Sequence, residues 1–336
     1  MRVVVVGGSG NLGTALLHAI SRTADIDAVG VSRRAPAVDL PWHEIDISRP
    51  DADVLLRAAF EGADAVVHLA WLLQPSHDVA RLARTNVDGS QRVFDAAVAA
   101  GVPHLVYMSS VGTYSPGPTD RPVDESWPVD GVPSSSYSTH KAAVERILDL
   151  TEVGDPGLTV TRFRPGLVLQ HDAASEIRRY FIGGLVPNLL FDLAARGRLP
   201  VLPLPSSLTL QFVHASDVAD AVVLALRSRL PGAINLAADP PMTPRRLASL
   251  LGAVHLPAPT GTLRMLAALS WRLRLQPTEP GWLDLADSIP VLDTTRATAE
   301  LGWRPRHSAQ EAVLALLRGL AENADAATPP LAHSTP

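Results

Sequence analysis

Residues 3–13 read Val3-Val4-Val5-Val6-Gly7-Gly8-Ser9-Gly10-Asn11-Leu12-Gly13, and this stretch limits the fold more than any other. Four successive β-branched residues predict a strand buried on both faces. From 12 to 21 the apolar residues fall at helical spacing, so the glycines occupy a tight strand-to-helix turn. Glycines at 7, 10 and 13, with Gly8 beside them, permit positive φ, close helix–strand packing and near approach of a pyrophosphate. The free N–H groups of the helix N-terminus would face that anion. The turn therefore predicts dinucleotide binding through Gly7, Gly10, Asn11, Leu12 and Gly13.

The pattern continues as alternating strands and helices. Strands are expected at 28–31, 65–69, 104–108 and 159–164, and helices at 53–60, 79–100 and 137–151. Such alternation predicts a parallel sheet covered on both faces, α/β and doubly wound in the Rossmann manner. Residues 115–136, rich in Pro, Gly and Ser, are expected to form a loop. Beyond Pro165 the stretch 167–208 is apolar and punctuated by prolines, without a clean period. Strands at 211–213 and 233–236 flank a helix at 216–227. The expected organisation is a cofactor-binding domain of residues 1–165 and 211–237, a smaller discontinuous C-terminal substrate lobe of residues 166–210 and 238–322, and a disordered tail, 323–336.

Bulk properties exclude several classes. With 336 residues, 46% hydrophobic, the chain can bury a large core. A net charge of −5, spread along the sequence, offers no basic stripe for nucleic acid. The absence of cysteine excludes disulfides, thiol catalysis and thiolate metal sites. The N-terminus does not read as a signal peptide, and there is no apolar run of roughly 18 residues to span a membrane. A soluble cytoplasmic protein is expected.

Two further constellations carry chemistry. The second strand ends in Ser32-Arg33-Arg34, with no acid to bond a ribose 2′-hydroxyl; arginines there suit a 2′-phosphate, so NADP is expected, with NAD as the alternative. Tyr137-Ser138-Thr139-His140-Lys141 places a phenol and an ammonium on one helix face. An adjacent cation would favour the phenolate and suit Tyr137 to proton exchange. Ser109 and Ser110 follow the fourth strand of the sheet, where doubly wound folds place their sites.

Together these motifs resemble the extended short-chain dehydrogenase/reductase superfamily, the NAD-dependent epimerases and dehydratases, over nearly the whole chain. The family's adenine-contacting pair matches Asp46-Ile47, its strand end His68-Leu69-Ala70, and its Asn-Val-x-Gly helix Asn86-Val87-Asp88-Gly89. Counting back four residues from Tyr114 selects Ser110 as the catalytic hydroxyl. Arg164-Pro165, Phe212 to Val218 and Leu301-Gly302-Trp303-Arg304-Pro305 match later family segments. The resemblance implies that Lys141 also holds the nicotinamide ribose, that Asn86 and Pro165 lie near the cofactor, and that a homodimer forms through the helices at 79–100 and 137–151. His68 and His214 lack a partner at ligand spacing, so no metal is expected.

Two departures bear on substrate. Nucleotide-sugar members carry an asparagine where this chain has Leu167, and an arginine where it has Leu210. Leucines cannot grip a diphosphate, although Arg178, Arg179, Arg196 and Arg198 lie in the same lobe. An apolar pocket walled by Trp71, Leu72, Tyr114 and the 167–210 segment is therefore expected. The leading expectation is an NADP-dependent oxidoreductase acting on an apolar carbonyl compound or its alcohol, with Ser110, Tyr137 and Lys141 as catalytic residues. The alternatives are an epimerase or dehydratase acting on a nucleotide sugar with recycled cofactor, and a non-catalytic cofactor sensor.

Overall fold

The structure, a computed structural model, describes residues 1–73, 77–182, 186–273, 279–325, 328 and 331. Seven parallel strands form the main sheet in the order Gly232–Leu236, Thr159–Pro165, His104–Met108, Ala65–His68, Arg2–Val6, Asp27–Ser32, Trp42–Glu44. The order reverses beside Arg2–Val6, so the glycine turn opens at the crevice where doubly wound sheets bind ligands. On one face Leu16, Val218, Val222 and Trp303 pack against Val3 and Val5; on the other, Leu56, Phe60, Phe94 and Leu148 pack against Val4 and Val6. The alternation of the four valines between the two cores explains why the strand carries no polar residue.

The expected strands and helices are present with ends shifted by a residue or a few, and the short strand Trp42–Glu44 is additional. One helix differs in kind. The stretch 79–100 is broken into Val79–Ala83, a π-helical turn Arg84–Asp88 and Gly89–Ala99. Asn86 lies in the wide turn, and its side chain accepts from the Leu72 amide at 2.7 Å and donates to the Leu72 carbonyl at 3.1 Å. That side-chain bracing explains the local widening, which a period count does not reveal.

The apolar stretch after Pro165 folds around a second, three-stranded sheet of Leu167–Leu169, Leu210–His214 and Ala238–Met242. Ala309, Ala312 and Val313 of the Ala309–Glu322 helix close its core. Leu210–His214, grouped by sequence with the cofactor domain, hydrogen-bonds into this smaller sheet, while the Ala215–Ser228 helix and Gly232–Leu236 return to the main one. Of the tail expected to lack order, residues 323–325 are described, as are Thr328 and Leu331, which are buried, and the Leu331 carbonyl accepts from Ser175; residues 326–327, 329–330 and 332–336 lie outside the described residues. Among the described residues no helix is long and apolar enough to cross a membrane.

Candidate active site

The glycines of the turn do three different jobs. Gly7 has φ +89°, and a Cβ on it would lie 2.5 Å from the Ala70 amide nitrogen. Gly13 packs so closely that its Cβ would lie 2.4 Å from the Gly7 carbonyl oxygen. Gly10 is different: its Cβ would meet only the Gly7 oxygen, at 3.5 Å, so the turn presents an open face there. Gly10 also precedes the Asn11–Ile20 helix without a side-chain cap, which leaves the first helical N–H groups free for an anion. Gln170 reaches across to brace Asn11, donating to its side-chain oxygen at 2.6 Å and its carbonyl at 3.1 Å. Leu12 packs against the core, and the Leu69 amide donates to the Val6 carbonyl at 2.8 Å. These residues fit a bound dinucleotide.

At the adenine end Arg33 and Arg34 are exposed. Arg33 lines a surface pocket with Glu44, Asp46, Arg49 and Asp51. Sequence reasoning missed Glu44, whose carboxylate accepts from the Ala35 amide at 2.9 Å and holds the arginine loop. Ser32 is committed to Trp42 Nε1 at 3.0 Å and to the Arg34 carbonyl at 2.7 Å. Asp46 accepts from the Ser48 amide and hydroxyl, and Ile47 is buried against Gly89.

The two serines after His104–Met108 point to different partners. Ser109 donates to the buried carboxylate of Glu145 at 2.6 Å, so it belongs to the framework. Ser110 faces Tyr137 and hydrogen-bonds to it. Gly112 makes room for this pair, because a Cβ there would lie 2.9 Å from the Tyr137 ring and 3.4 Å from Ser110 Oγ. Ser138 fixes the helix start by donating to the Gly112 carbonyl at 2.5 Å and accepting from the Val132 amide at 2.6 Å.

Lys141, on the same helix, has backbone and aromatic partners of its own. Its ammonium donates to the Met108 carbonyl at 2.8 Å and the Tyr107 hydroxyl at 3.4 Å, under the ring of Trp71 at 3.6 Å. Burial pushes Lys141 well below the usual lysine range, Glu145 opposing the shift. Burial likewise pushes the Tyr137 phenol up to about 12, against the Ser110 hydrogen bond, where an adjacent ammonium was expected to bring it down. Beneath both residues, Glu145 pairs with Arg164 at 2.7 Å and Arg162 at 3.2 Å. Against the upward push of burial, these arginines hold Glu145 below the usual carboxylate range.

Of the expected substrate walls, Trp71 and Leu72 line a narrow cleft with Tyr137, Asn86 and Leu82. Tyr114 does not. It is fully buried, its hydroxyl donating to Asn235 at 2.7 Å and accepting from Arg164 at 3.1 Å, so it is a core residue. Leu167 and Leu210 join an apolar cluster that reaches Tyr137 and Trp282. Pro165 ends its strand opposite Leu236. Arg178 is engaged by Asn188 and Asn323, and Arg196 by Asp192. His68 bonds Ser90 at 2.8 Å inside the sheet, and His214 caps the Ala215–Ser228 helix while stacking on His307. Sequence reasoning missed Glu279, His140 and Trp282, which also line the cleft. Glu279 and Trp282 follow a stretch without periodicity, and no local pattern announces them.

Residues 3–237, more than half of the chain, match the model of the NAD dependent epimerase/dehydratase family. The chain belongs to that family. A dTDP-6-deoxy-L-talose 4-dehydrogenase (NAD(P)(+)) of Kitasatospora kifunensis is 28% identical over 327 residues, covering 93% of each chain. An uncharacterized protein of Mycobacterium tuberculosis is 25% identical over 93% of this chain, which spans only 29% of that protein's length. Among solved structures, a UDP-glucose 4-epimerase of Thermotoga maritima has the same fold, with TM-score 0.70 and 20% identity over 96% of this chain and 98% of that one. The chain thus carries Ser110, Tyr137 and Lys141 and a glycine-rich strand-to-helix turn on the fold of that family.

Proposed function

We propose that this family member oxidises a secondary alcohol to a ketone, or reduces the ketone, on a nucleotide sugar, either as net redox chemistry or as the transient step of an epimerisation or dehydration. One observation carries the chemistry: Ser110, Tyr137 and Lys141 converge at the C-terminal end of the parallel sheet, beside the glycine turn. The substrate class is supported by the nucleotide-sugar dehydrogenase that matches along 93% of the chain. Gly7, Gly10, Asn11, Leu12 and Gly13 would hold the pyrophosphate, Asp46 and Ile47 the adenine, and Leu69, Ala70, Asn86 and Pro165 the ring nearer the chemistry. Bound nicotinamide supplies or accepts the hydride. Ser110 orients the substrate oxygen, Tyr137 exchanges its proton, and Lys141, once released from Met108, holds the ribose and favours the phenolate.

NADP is preferred over NAD in this reading because Arg33 stands free at the end of the second strand. The arrangement of residues 1–165 with 211–237 as cofactor domain, and 166–210 with 238–322 as substrate lobe, belongs to the same proposal. So does a homodimer, supported by Leu150 and Val153, 74% and 80% exposed on the Ser136–Gly154 helix.

A second reading, an apolar carbonyl compound as substrate, is favoured by the apolar cluster that Leu167, Leu210, Trp282 and Tyr137 join. Thermal shift in the presence of NADP distinguishes them. Saturable stabilisation by a UDP- or dTDP-sugar at micromolar concentration is the expected result. Stabilisation by apolar ketones alone would replace the leading reading with the second.

A further inference from the structure

Residues 279–282 come to the start of the Ser136–Gly154 helix from late in the chain, and three contacts seat them there. Glu279 accepts from the Ser136 amide at 2.9 Å and from its hydroxyl at 2.6 Å. Gly281 passes so near Ser134 that a Cβ on it would lie 2.1 Å from the Ser134 carbonyl oxygen. Trp282 then lies over Tyr137, ring centroids 4.8 Å apart and planes 35° apart. Phe181 backs Trp282 edge-on at 4.9 Å. Trp71 also meets the phenol, edge-on at 5.9 Å.

The cleft between these rings is apolar along Leu72, Leu73 and Leu82. Yet two of its lining residues, Trp71 and His140, each have a buried ring nitrogen, Nε1 and Nδ1, without a hydrogen-bond partner. His140 follows Tyr137 by three residues and so shares its helix face. Buried polar atoms are ordinarily paired, and a wall that leaves two unpaired beside a reactive phenol is suited to a ligand that pairs them.

We propose that Trp282, Trp71 and His140 form the recognition subsite for the substrate's reacting ring, and that Glu279 is the positioning residue that holds Trp282 in place. The ring it fits has C–H faces for the indoles, fewer hydroxyls than a hexose, and a rim oxygen placed for Trp71 Nε1 and His140. A deoxygenated sugar ring and a carbocyclic ketone share that chemistry. A fully hydroxylated ring would lose water from its hydroxyls against leucines that return no hydrogen bond. The inference deepens the function proposed above and rests on Tyr137 as the proton-exchanging group.

Calorimetric titration of NADP⁺-saturated protein with dTDP-L-rhamnose, UDP-glucose and cyclohexanone tests it. The expected result is that dTDP-L-rhamnose or cyclohexanone binds at least about tenfold more tightly than UDP-glucose. Trp282→Ala should weaken the better probe by about tenfold or more, while Trp282→Phe, which keeps an aromatic face, weakens it less than about threefold. Glu279→Ala should reproduce part of the loss, and Glu279→Gln, which still accepts from Ser136, should restore it. NADP⁺ affinity should stay within about twofold throughout. Cyclohexanone binding without either nucleotide sugar would keep the subsite and remove the nucleotide-sugar class. The subsite is overturned if UDP-glucose binds as tightly as the other probes, if no probe binds, or if Trp282→Ala leaves probe affinity unchanged or lowers it only together with NADP⁺ affinity.

Discussion

The cofactor end and the substrate end of this site are made from different materials. At the glycine turn the contacts are backbone on backbone, with Gly7 against Ala70 and Gly13 against Gly7, and no side chain decides them. At Tyr137 the surroundings are side chains drawn largely from distant segments: Trp71 and Trp282, the latter backed by Phe181, with His140 from its own helix. Backbone-made sites leave a compact signature, because only glycine satisfies them and the spacing is fixed by one turn. Sites assembled from separate segments leave none. The cofactor end should therefore fail as a whole when one atom is added, whereas the substrate end should fail residue by residue.

Gly7→Ala breaks the first half of that contrast. A methyl group at φ +89° and 2.5 Å from the Ala70 amide combines backbone strain with overpacking. The expected cost is about 2–4 kcal/mol, divided between stability and NADPH affinity and read by denaturant melts and calorimetry. Unchanged stability together with unchanged affinity would show that the turn is not built on close approach. Tyr137→Phe tests the other half. It should lower turnover on an established substrate at least about 100-fold and leave cofactor affinity nearly intact. A variant with near-normal turnover would dismiss Tyr137 as the proton donor.

These two substitutions also divide what was legible in the sequence from what was not. The sheet, the turn and the Tyr137/Lys141 pair follow from local periodicity and spacing. Tyr114 could not be assigned that way: only the fold shows its hydroxyl bonded to Asn235, 121 residues away. The π turn at Arg84–Asp88 is likewise set by a tertiary contact, the hold of Asn86 on Leu72. Lys141 differs for an electrostatic reason. Its ammonium is buried under Trp71 and bonded to the Met108 carbonyl at 2.8 Å, partners that lie outside its own helix and that spacing along the helix does not show.

A smaller effect sharpens the cofactor end. Arg33→Ala should weaken NADPH by about one to two decades and leave NADH nearly unchanged. Equal losses for both would assign Arg33 a structural role beside Glu44. The smallest effect lies outside both ends, at partly buried Glu176, which burial raises to about 7. A carboxyl whose folded value exceeds its unfolded one stabilises the protonated fold at low pH and opposes folding as pH rises through the folded value. Glu176→Gln should therefore raise stability at pH 8 by about 1–2 kcal/mol and change little near pH 4.5. A larger gain in acid than at pH 8 would contradict the burial assigned to it.

The measurement that bears most directly on the account is calorimetric titration of the unmodified protein with NADPH and with NADH. One saturating site per chain is expected for each, with NADPH the tighter. Absence of binding by either nucleotide would contradict the assignment of the glycine turn as a dinucleotide site, and tighter NADH would contradict the role given to Arg33.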